Sequence, residues 1–413
     1  MPTPKVTLKP EGLVDKDGHS LLTNLEVHKL LRFVWTGVFL STTKEEYMNH
    51  TNMKTDDYNR LKEYIDPLLL VHATCKNHCV VFKNDTYKTI VDLADSMYAL
   101  AQKAGGKEAG SYYANILKDG KILFEELDKD IADQNQTVIS NKRTVINALV
   151  NRQVAGITQL QTDAANVKKS LLAFEEQLRG DQKALKEKDK IINDKLAAEG
   201  GDIDTLTTTI AAKIKEIDQD QDEFEQGESQ SILDVIQNDN DERVLDVIIA
   251  ATTAAYATVF PVGTICAAVV LGVYTERAVV MKVKIDALKE ILQNDQDKLA
   301  SDNMLVAGLK LMDKDLSALI ALIGPAITVI DEMVGAWGII AADLKAVKDA
   351  VAENSDETDL PELQEISQEG VLSAWNDLKV EVNNFRQAAY ISDPDQVTLD
   401  DYSRQLQASI DGA

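Results

Sequence analysis

An uncharged run between Asp246 and Glu276 limits how this chain can fold more than any other feature. Residues 247–275 contain no Asp, Glu, Lys or Arg, although the chain has 68 acidic and 43 basic residues and a formal net charge of −25. A helix at the surface of a soluble bundle buries one apolar face and exposes a polar one. Because this run is apolar on every face, other parts of the chain must enclose it completely, or it must enter a bilayer.

The composition outside this run indicates long helices. Pro and Gly are rare, with 8 and 20 in 413 residues, and aromatic residues make up 5% of the chain. Few helix breakers and many Ala, Leu, Lys and Glu residues are typical of long helices, and no series of short alternating strands is visible. We therefore predict an all-α fold. The negative charge argues against a nucleic-acid-binding protein, since a phosphate backbone requires clustered Lys and Arg.

Two apolar stripes with coiled-coil spacing flank the pair Gly200-Gly201. The first stripe consists of Val167, Leu171, Phe174, Leu178, Leu185 and Ile192, and the second of Ile203, Leu206, Ile210, Ile214, Ile217 and Phe224. A tight turn between two such stripes predicts an antiparallel helical hairpin. The predicted fold is therefore an elongated antiparallel long-helix bundle or coiled coil, with an apolar helical hairpin at one end.

Helix breakers and caps predict the limits of the other helices. One helix begins near Ser20, and the later ones span about 55–103, about 107–199 and about 361–391, with Pro67 as a candidate kink in the second. Another uncharged run, Leu316–Ile330, is interrupted by Gly324-Pro325. After the first apolar run, the helical pattern resumes with Ile285, Leu288, Leu292 and Leu299.

These limits predict five segments along the chain. The segments are an N-terminal arm (1–19), a long-helix bundle with the coiled-coil hairpin (20–246), the apolar hairpin (247–275), the returning helices of the bundle (276–391) and a polar C-terminal tail (392–413).

Three interpretations of the apolar run compete: a buried pair of core helices, a permanent transmembrane span, and a membrane element that is hidden in the soluble protein. The sequence Phe260-Pro261-Val262-Gly263 divides the run into two arms of about 20 Å each, which is short against a hydrocarbon core of about 30 Å. The run is also rich in Ala, Thr and Val rather than Leu, which is mild for a permanent anchor. We favour the third interpretation, an apolar hairpin that is presented at a bilayer.

The residues expected to meet lipid are the larger apolar side chains of the run and its turn. They are Val247, Ile248, Ile249, Tyr256, Val259, Phe260, Pro261, Val262, Gly263, Ile265, Val269, Val270, Leu271, Val273 and Tyr274. Tyrosine is enriched at membrane interfaces, which suits Tyr256 and Tyr274. Arg277, Lys282 and Lys284 follow the run and are expected to contact lipid phosphates.

A second cluster lies in the sequence HATCKNHC. His72, Cys75 and Cys79 share one helical face and form a weak candidate for a metal site, whereas His78 points elsewhere. The apolar neighbours favour an ordinary buried helix in which the cysteines act as small hydrophobic residues. The sequence shows no catalytic motif and no phosphate-binding loop. We therefore expect no enzymatic activity, no metal and no cofactor.

The antiparallel helices, the Gly-Gly turn and the apolar run at 247–275 resemble the cytolysin A superfamily of α-helical pore-forming toxins. In its length and in the position of the apolar run, this chain is most similar to the A component of the binary α-xenorhabdolysin type. The resemblance covers most of residues 20–391 and rests on architecture rather than on a short motif.

This resemblance implies a mechanism. The soluble protein binds the membrane of a target cell through residues 247–275, recruits a second, B-type subunit and assembles with it into a hetero-oligomeric lytic ring. Because the sequence MPTPKVTLKP has no apolar signal region, we expect secretion without a classical signal peptide. Two alternatives stay open, a cytosolic coiled-coil scaffold or adaptor and a secretion-system translocator.

Overall fold

The computed structural model describes residues 6–14, 41–51, 53–106, 110–196, 301–352 and 366–388, three short strands and a few single residues elsewhere. The helices of this described part are α1 (Lys44–Thr51), α2 (Thr55–Val81), α3 (Tyr87–Ala104), α4 (Tyr112–Leu127), α5 (Gln136–Leu196), α6 (Ser301–Ala350) and α7 (Gln368–Ala388). The strands are β1 (Thr258–Val259), β2 (Thr264–Ala267) and β3 (Asp395–Thr398). Long helices dominate, and the predicted all-α class is confirmed.

The helix predicted for residues 55–103 is present, with one change of winding inside it. A π-helical turn, Phe82–Thr86, joins α2 to α3. Pro67 lies inside α2 without ending the helix. The end of α3 is as predicted, because Gly106 has φ = 76°, which favours glycine, and the amide of Gly105 donates to the carbonyl of Ala101.

The single helix predicted for residues 107–199 is wrong, because α4 ends at Leu127 and α5 begins at Gln136. Polar side chains rather than Pro or Gly make this break. The side chain of Asn135 accepts a hydrogen bond from the amide of Thr137 at the start of α5 (3.1 Å). Ser111 caps α4 in the same way by accepting from the amide of Ala114 (3.0 Å). Such side-chain caps satisfy amides that have no partner within the helix.

Helix α5 carries the first predicted stripe. All six residues of that stripe are at most 2% exposed, so the heptad spacing identified the buried face correctly. The second stripe and Gly200-Gly201 lie outside the described residues. At 61 residues, α5 is about 90 Å long.

Helix α6 packs along α5. Lys348 donates to the side chain of Asn151 (3.1 Å), and Lys168 pairs with Asp331 (2.7 Å). From the first contact to the second, the residue number rises by 17 on α5 and falls by 17 on α6. The two helices therefore run antiparallel in a constant register. Gly324-Pro325 does not interrupt α6, contrary to the prediction, since the helix is continuous from Ser301 to Ala350.

The chain divides into two compact units. Unit one contains Met1–His28, Thr86–Leu171 and Gly324–Gln387, and unit two contains Lys29–Asp85, Leu172–Ile323 and Ala388–Ala413. This division falls inside α5 and inside α6.

The described part of the N-terminal arm packs into unit one. Leu8 and Leu13 are fully buried. The indole nitrogen of Trp375 donates to the carbonyl of Leu8 (2.8 Å), and the amides of Thr7 and Leu8 donate to one carboxylate oxygen of Asp343 (3.0 and 3.1 Å). This segment is therefore part of the core of unit one rather than a separate arm.

Small-angle scattering checks the predicted elongated shape. A compact globule of 413 residues would have a radius of gyration of about 22 Å. Because the sequence predicts an elongated bundle, we expect a clearly larger radius of gyration for this protein. A profile that fits a compact sphere would contradict the elongated bundle.

Candidate membrane-binding segment

The described part of the apolar run is strand rather than helix. Thr258–Val259 and Thr264–Ala267 form an antiparallel pair in which Thr258 faces Cys266 and Val259 faces Ile265. Thr, Val and Ile are β-branched and favour strands, which accounts for this local structure. The prediction of helix is therefore wrong at these six positions of the soluble protein.

The C-terminal tail adds a third strand to this pair. β3 runs antiparallel to β2, with Thr264 opposite Thr398, Ile265 opposite Val397, Cys266 opposite Gln396 and Ala267 opposite Asp395. The strand order is β1-β2-β3, so β2 is the central strand. Asp395–Thr398 of the segment predicted as a polar tail thus forms a sheet with the described strands of the apolar run.

Of the residues predicted to meet lipid, Val259 and Ile265 are described, and they lie opposite each other in the β1–β2 register. The remaining predicted lipid-contacting residues of 247–275, and the basic residues Arg277, Lys282 and Lys284, lie outside the described residues. Their role in membrane binding stays a prediction.

The other uncharged run belongs to a core helix. Within the described residues, the stretch Leu316–Ala350 of α6 is long and apolar enough to cross a bilayer, with a mean hydropathy of 1.7. Core helices of soluble proteins have the same length and composition. Within the uncharged run the buried side chains recur every three or four residues, as in Leu316, Ile320, Ile323 and Ala326, whereas Ser317, Ala321 and Pro325 are exposed. This one-sided burial is typical of a helix in a bundle core.

The three residues considered for a metal site have other partners. The ring nitrogen Nδ1 of His72 lies 2.9 Å from the carbonyl oxygen of Ser41. Cys75 and Cys79 are free, buried thiols. A hydrogen bond with Cys79, together with burial, raises the pKa of the Cys75 thiol, which disfavours the thiolate that a metal requires. In the part of the chain that the structure describes, no group of three or more metal-binding side chains has a suitable arrangement.

His78, which the sequence analysis set aside, pairs instead with Asp181 of α5. Its Nδ1 lies 2.8 Å from a carboxylate oxygen of Asp181, whose side chain is 4% exposed. Burial raises the pKa of Asp181, and the hydrogen bond with His78 opposes that shift. The sequence did contain a signal for the burial of Asp181, because this residue fills the gap between Leu178 and Leu185 in the buried stripe of α5.

Acid should weaken unit two through His72. Burial lowers the pKa of His72 to about 4 from 6.5. Because the folded pKa is the lower one, neutral His72 contributes its full stability above pH 6.5, and this contribution falls as the pH drops from about 6.5 to about 4. At about 1.4 kcal/mol per pH unit, the loss is about 3 kcal/mol.

Urea denaturation of the wild type and of His72→Asn at several pH values measures this effect. Asparagine keeps an N–H donor for Ser41 but does not titrate, so the stability difference between the two proteins should shrink as the pH falls. A difference that stays constant from pH 7 to pH 4 would contradict a buried neutral His72.

Comparisons with known proteins give structural matches alone. No protein-family model and no curated protein matches this chain. Soluble SmhA of the tripartite α-pore-forming toxin Smh from Serratia marcescens is 13% identical, with a TM-score of 0.55, over 94% of this chain and 96% of that protein.

Two further solved structures match to a similar degree. The HblL1 toxin component of Bacillus cereus is 16% identical, with a TM-score of 0.51, over 92% of this chain and 98% of that protein. Soluble AhlB of the tripartite toxin AHL from Aeromonas hydrophila is 13% identical, with a TM-score of 0.51, over 92% of this chain and 99% of that protein. The chain therefore has the fold of soluble α-pore-forming toxin components, in agreement with the resemblance to the cytolysin A superfamily.

Proposed function

We propose that this protein is a soluble, non-enzymatic component of a multi-component α-pore-forming toxin and that residues 247–275 bind the target membrane. The main support for the proposal is that this chain shares its fold with three toxin components along more than nine-tenths of its length. The position of the uncharged run supports the second part, because no charge lies between Asp246 and Glu276 in a strongly acidic protein.

The strands of the apolar run are not suited to cross a bilayer. β2 has four residues and spans about 13 Å, against a hydrocarbon core of about 30 Å. An open sheet also leaves backbone groups without partners, which hydrocarbon does not tolerate, whereas a helix satisfies its own. We therefore propose that the run becomes a helical hairpin on insertion. The tip around Phe260, Val262 and Ile265 would then meet lipid first, with Arg277, Lys282 and Lys284 at the phosphates.

Assembly with partner subunits completes the proposed function. In the binary scheme this chain anchors at the membrane and recruits one B-type subunit to form a hetero-oligomeric ring. Two of the structurally similar proteins belong to toxins described as tripartite, so a third component is the alternative. Secretion of this chain precedes either scheme.

The protein by itself should release dye poorly from phosphatidylcholine–phosphatidylethanolamine vesicles, because one component of a set lacks the subunits that line the pore. The measurement is dye release by this chain alone and together with the product of each neighbouring gene that carries its own apolar run. Release should rise steeply when one partner completes a binary toxin, or when two complete a tripartite one. Efficient release by this chain alone at low concentration would favour a single-component toxin instead.

A cytosolic coiled-coil scaffold is the second candidate, favoured by the 61-residue helix α5 with its heptad stripe. Vesicle flotation separates the two functions. The toxin component should float with vesicles, whereas a scaffold should stay in the soluble fraction.

A further inference from the structure

We propose that strand β3 of the C-terminal tail is a clamp that holds the apolar run in its soluble conformation and must leave β2 before the run enters a membrane. This inference rests on the proposed function of residues 247–275. It adds a regulatory role for Asp395–Thr398, a segment remote in sequence from the run.

The strand order makes β3 the decisive element of the sheet. β1 has two residues and forms one edge, β2 is central, and β3 has four residues and covers the whole of β2. A two-stranded hairpin in water is at best marginally stable, and a third strand adds the pairing that keeps it formed. β3 also removes the open edge of β2, which would otherwise offer its backbone groups to another chain. The third strand therefore keeps β1 and β2 paired.

The same pairing is incompatible with insertion. Within a bilayer the backbone must be satisfied inside a helix or a closed barrel, and this open sheet is neither. If β3 stayed paired, it would also carry Asp395, the register partner of Ala267, toward the hydrocarbon. A charged side chain there is strongly disfavoured. Detachment of β3 is thus a required step, and a ligand or partner that binds the free tail would favour insertion.

The register supplies a direct test with a single substitution. Cys266 lies opposite Gln396, and opposite residues of antiparallel strands have Cα atoms about 4.5–5.5 Å apart, within the range of a disulfide. In Gln396→Cys, oxidised glutathione should therefore close a disulfide to the native Cys266, with its own reduction taking up the two hydrogens. Cys75 and Cys79 are buried, and Gln396→Ser is the matched control for any reaction they undergo.

The cross-link should lock the clamp. We expect oxidised Gln396→Cys to lose flotation with phosphatidylcholine–phosphatidylethanolamine vesicles, and dithiothreitol to restore it to the level of Gln396→Ser. Asp395→Cys, which is opposite Ala267 instead, should cross-link slowly. Failure of Gln396→Cys to form the intramolecular disulfide would overturn the proposal. Flotation of the oxidised form to the same extent as a reduced form that does float would also overturn it.

A second measurement needs no membrane and separates the clamp from the proposed function. The double variant Gln396→Pro/Val397→Pro removes two adjacent amides, one of which faces β2 in an antiparallel ladder. Exchange of the amide hydrogens of Thr264–Ala267 should become about tenfold faster than in Gln396→Ala/Val397→Ala, because the partner strand is lost. Equal exchange in the two variants would overturn the clamp. If the wild type and reduced Gln396→Cys both fail to float while exchange responds as expected, the proposed membrane function is wrong, and only the stabilisation of β2 by β3 stands.

Discussion

Ala255→Asp is expected to abolish flotation of the protein with vesicles. Ala255 lies in the middle of the first arm of the apolar run. A carboxylate at the centre of an inserted segment costs about 2.5–3.5 kcal/mol on insertion scales, which is a factor of about 100 in the membrane-bound fraction. Val269→Asp tests the second arm in the same way, and Ala255→Ser is the matched control because it is small and uncharged.

Far-UV circular dichroism and the melting temperature must accompany this measurement, since a new charge can also disturb the soluble fold. Loss of flotation with unchanged helicity supports a membrane element at 247–275. If Ala255→Asp keeps both its fold and its flotation, the run is a piece of the protein core that happens to lack charges.

The second large effect is expected at Trp375 in unit one. This side chain is fully buried, stacks on Tyr113 with ring centroids 5.4 Å apart and donates its indole N–H to the carbonyl of Leu8. Trp375→Ala removes the ring and leaves a cavity, which typically costs about 3–5 kcal/mol. It also releases the N-terminal segment, because Leu8 loses the donor that holds its carbonyl. Leu8 has φ = 55°, an unfavourable conformation for a leucine, so the native contacts must maintain it.

Trp375→Phe is the matched control for the hydrogen bond. Phenylalanine keeps an aromatic ring against Tyr113 but has no donor for Leu8, so we expect a smaller loss of about 1–3 kcal/mol. Urea denaturation followed by circular dichroism measures both variants, and protease cleavage near Leu8 reports release of the segment. A cost below about 1 kcal/mol for Trp375→Ala would mean that this ring is not central to the core.

Much of the fold was predictable because its causes are local in sequence. The scarcity of Pro and Gly indicated long helices, and the heptad spacing from Val167 to Ile192 identified the buried face of α5. Helix α3 ends at Gly105-Gly106 because glycine adopts φ > 0 with little strain. The break between α4 and α5 was missed, since Asn135 acts through a side-chain cap, which is a weaker signal than Pro or Gly.

The candidate site depended more on tertiary structure. The absence of charge from 247–275 is visible in the sequence and is the reason to suspect a membrane element. Burial of Asp181 could be read from its place in the stripe, but its partner His78 is on another helix and was identified by the structure alone. The N-terminal segment was likewise predicted as an arm, and its hydrogen-bond partners Asp343 and Trp375 were identified by the structure alone.

Chain composition and helical periodicity by themselves determined the fold class, the buried face of α5 and the position of the apolar run. Tertiary structure alone decided that Thr258–Val259 and Thr264–Ala267 are strands and that Asp395–Thr398 pairs with the second of them. The physical reason is that a helix closes its hydrogen bonds within a few residues, whereas a strand takes its partners from anywhere in the chain. A short β-branched segment therefore becomes helix or strand according to which partner it meets.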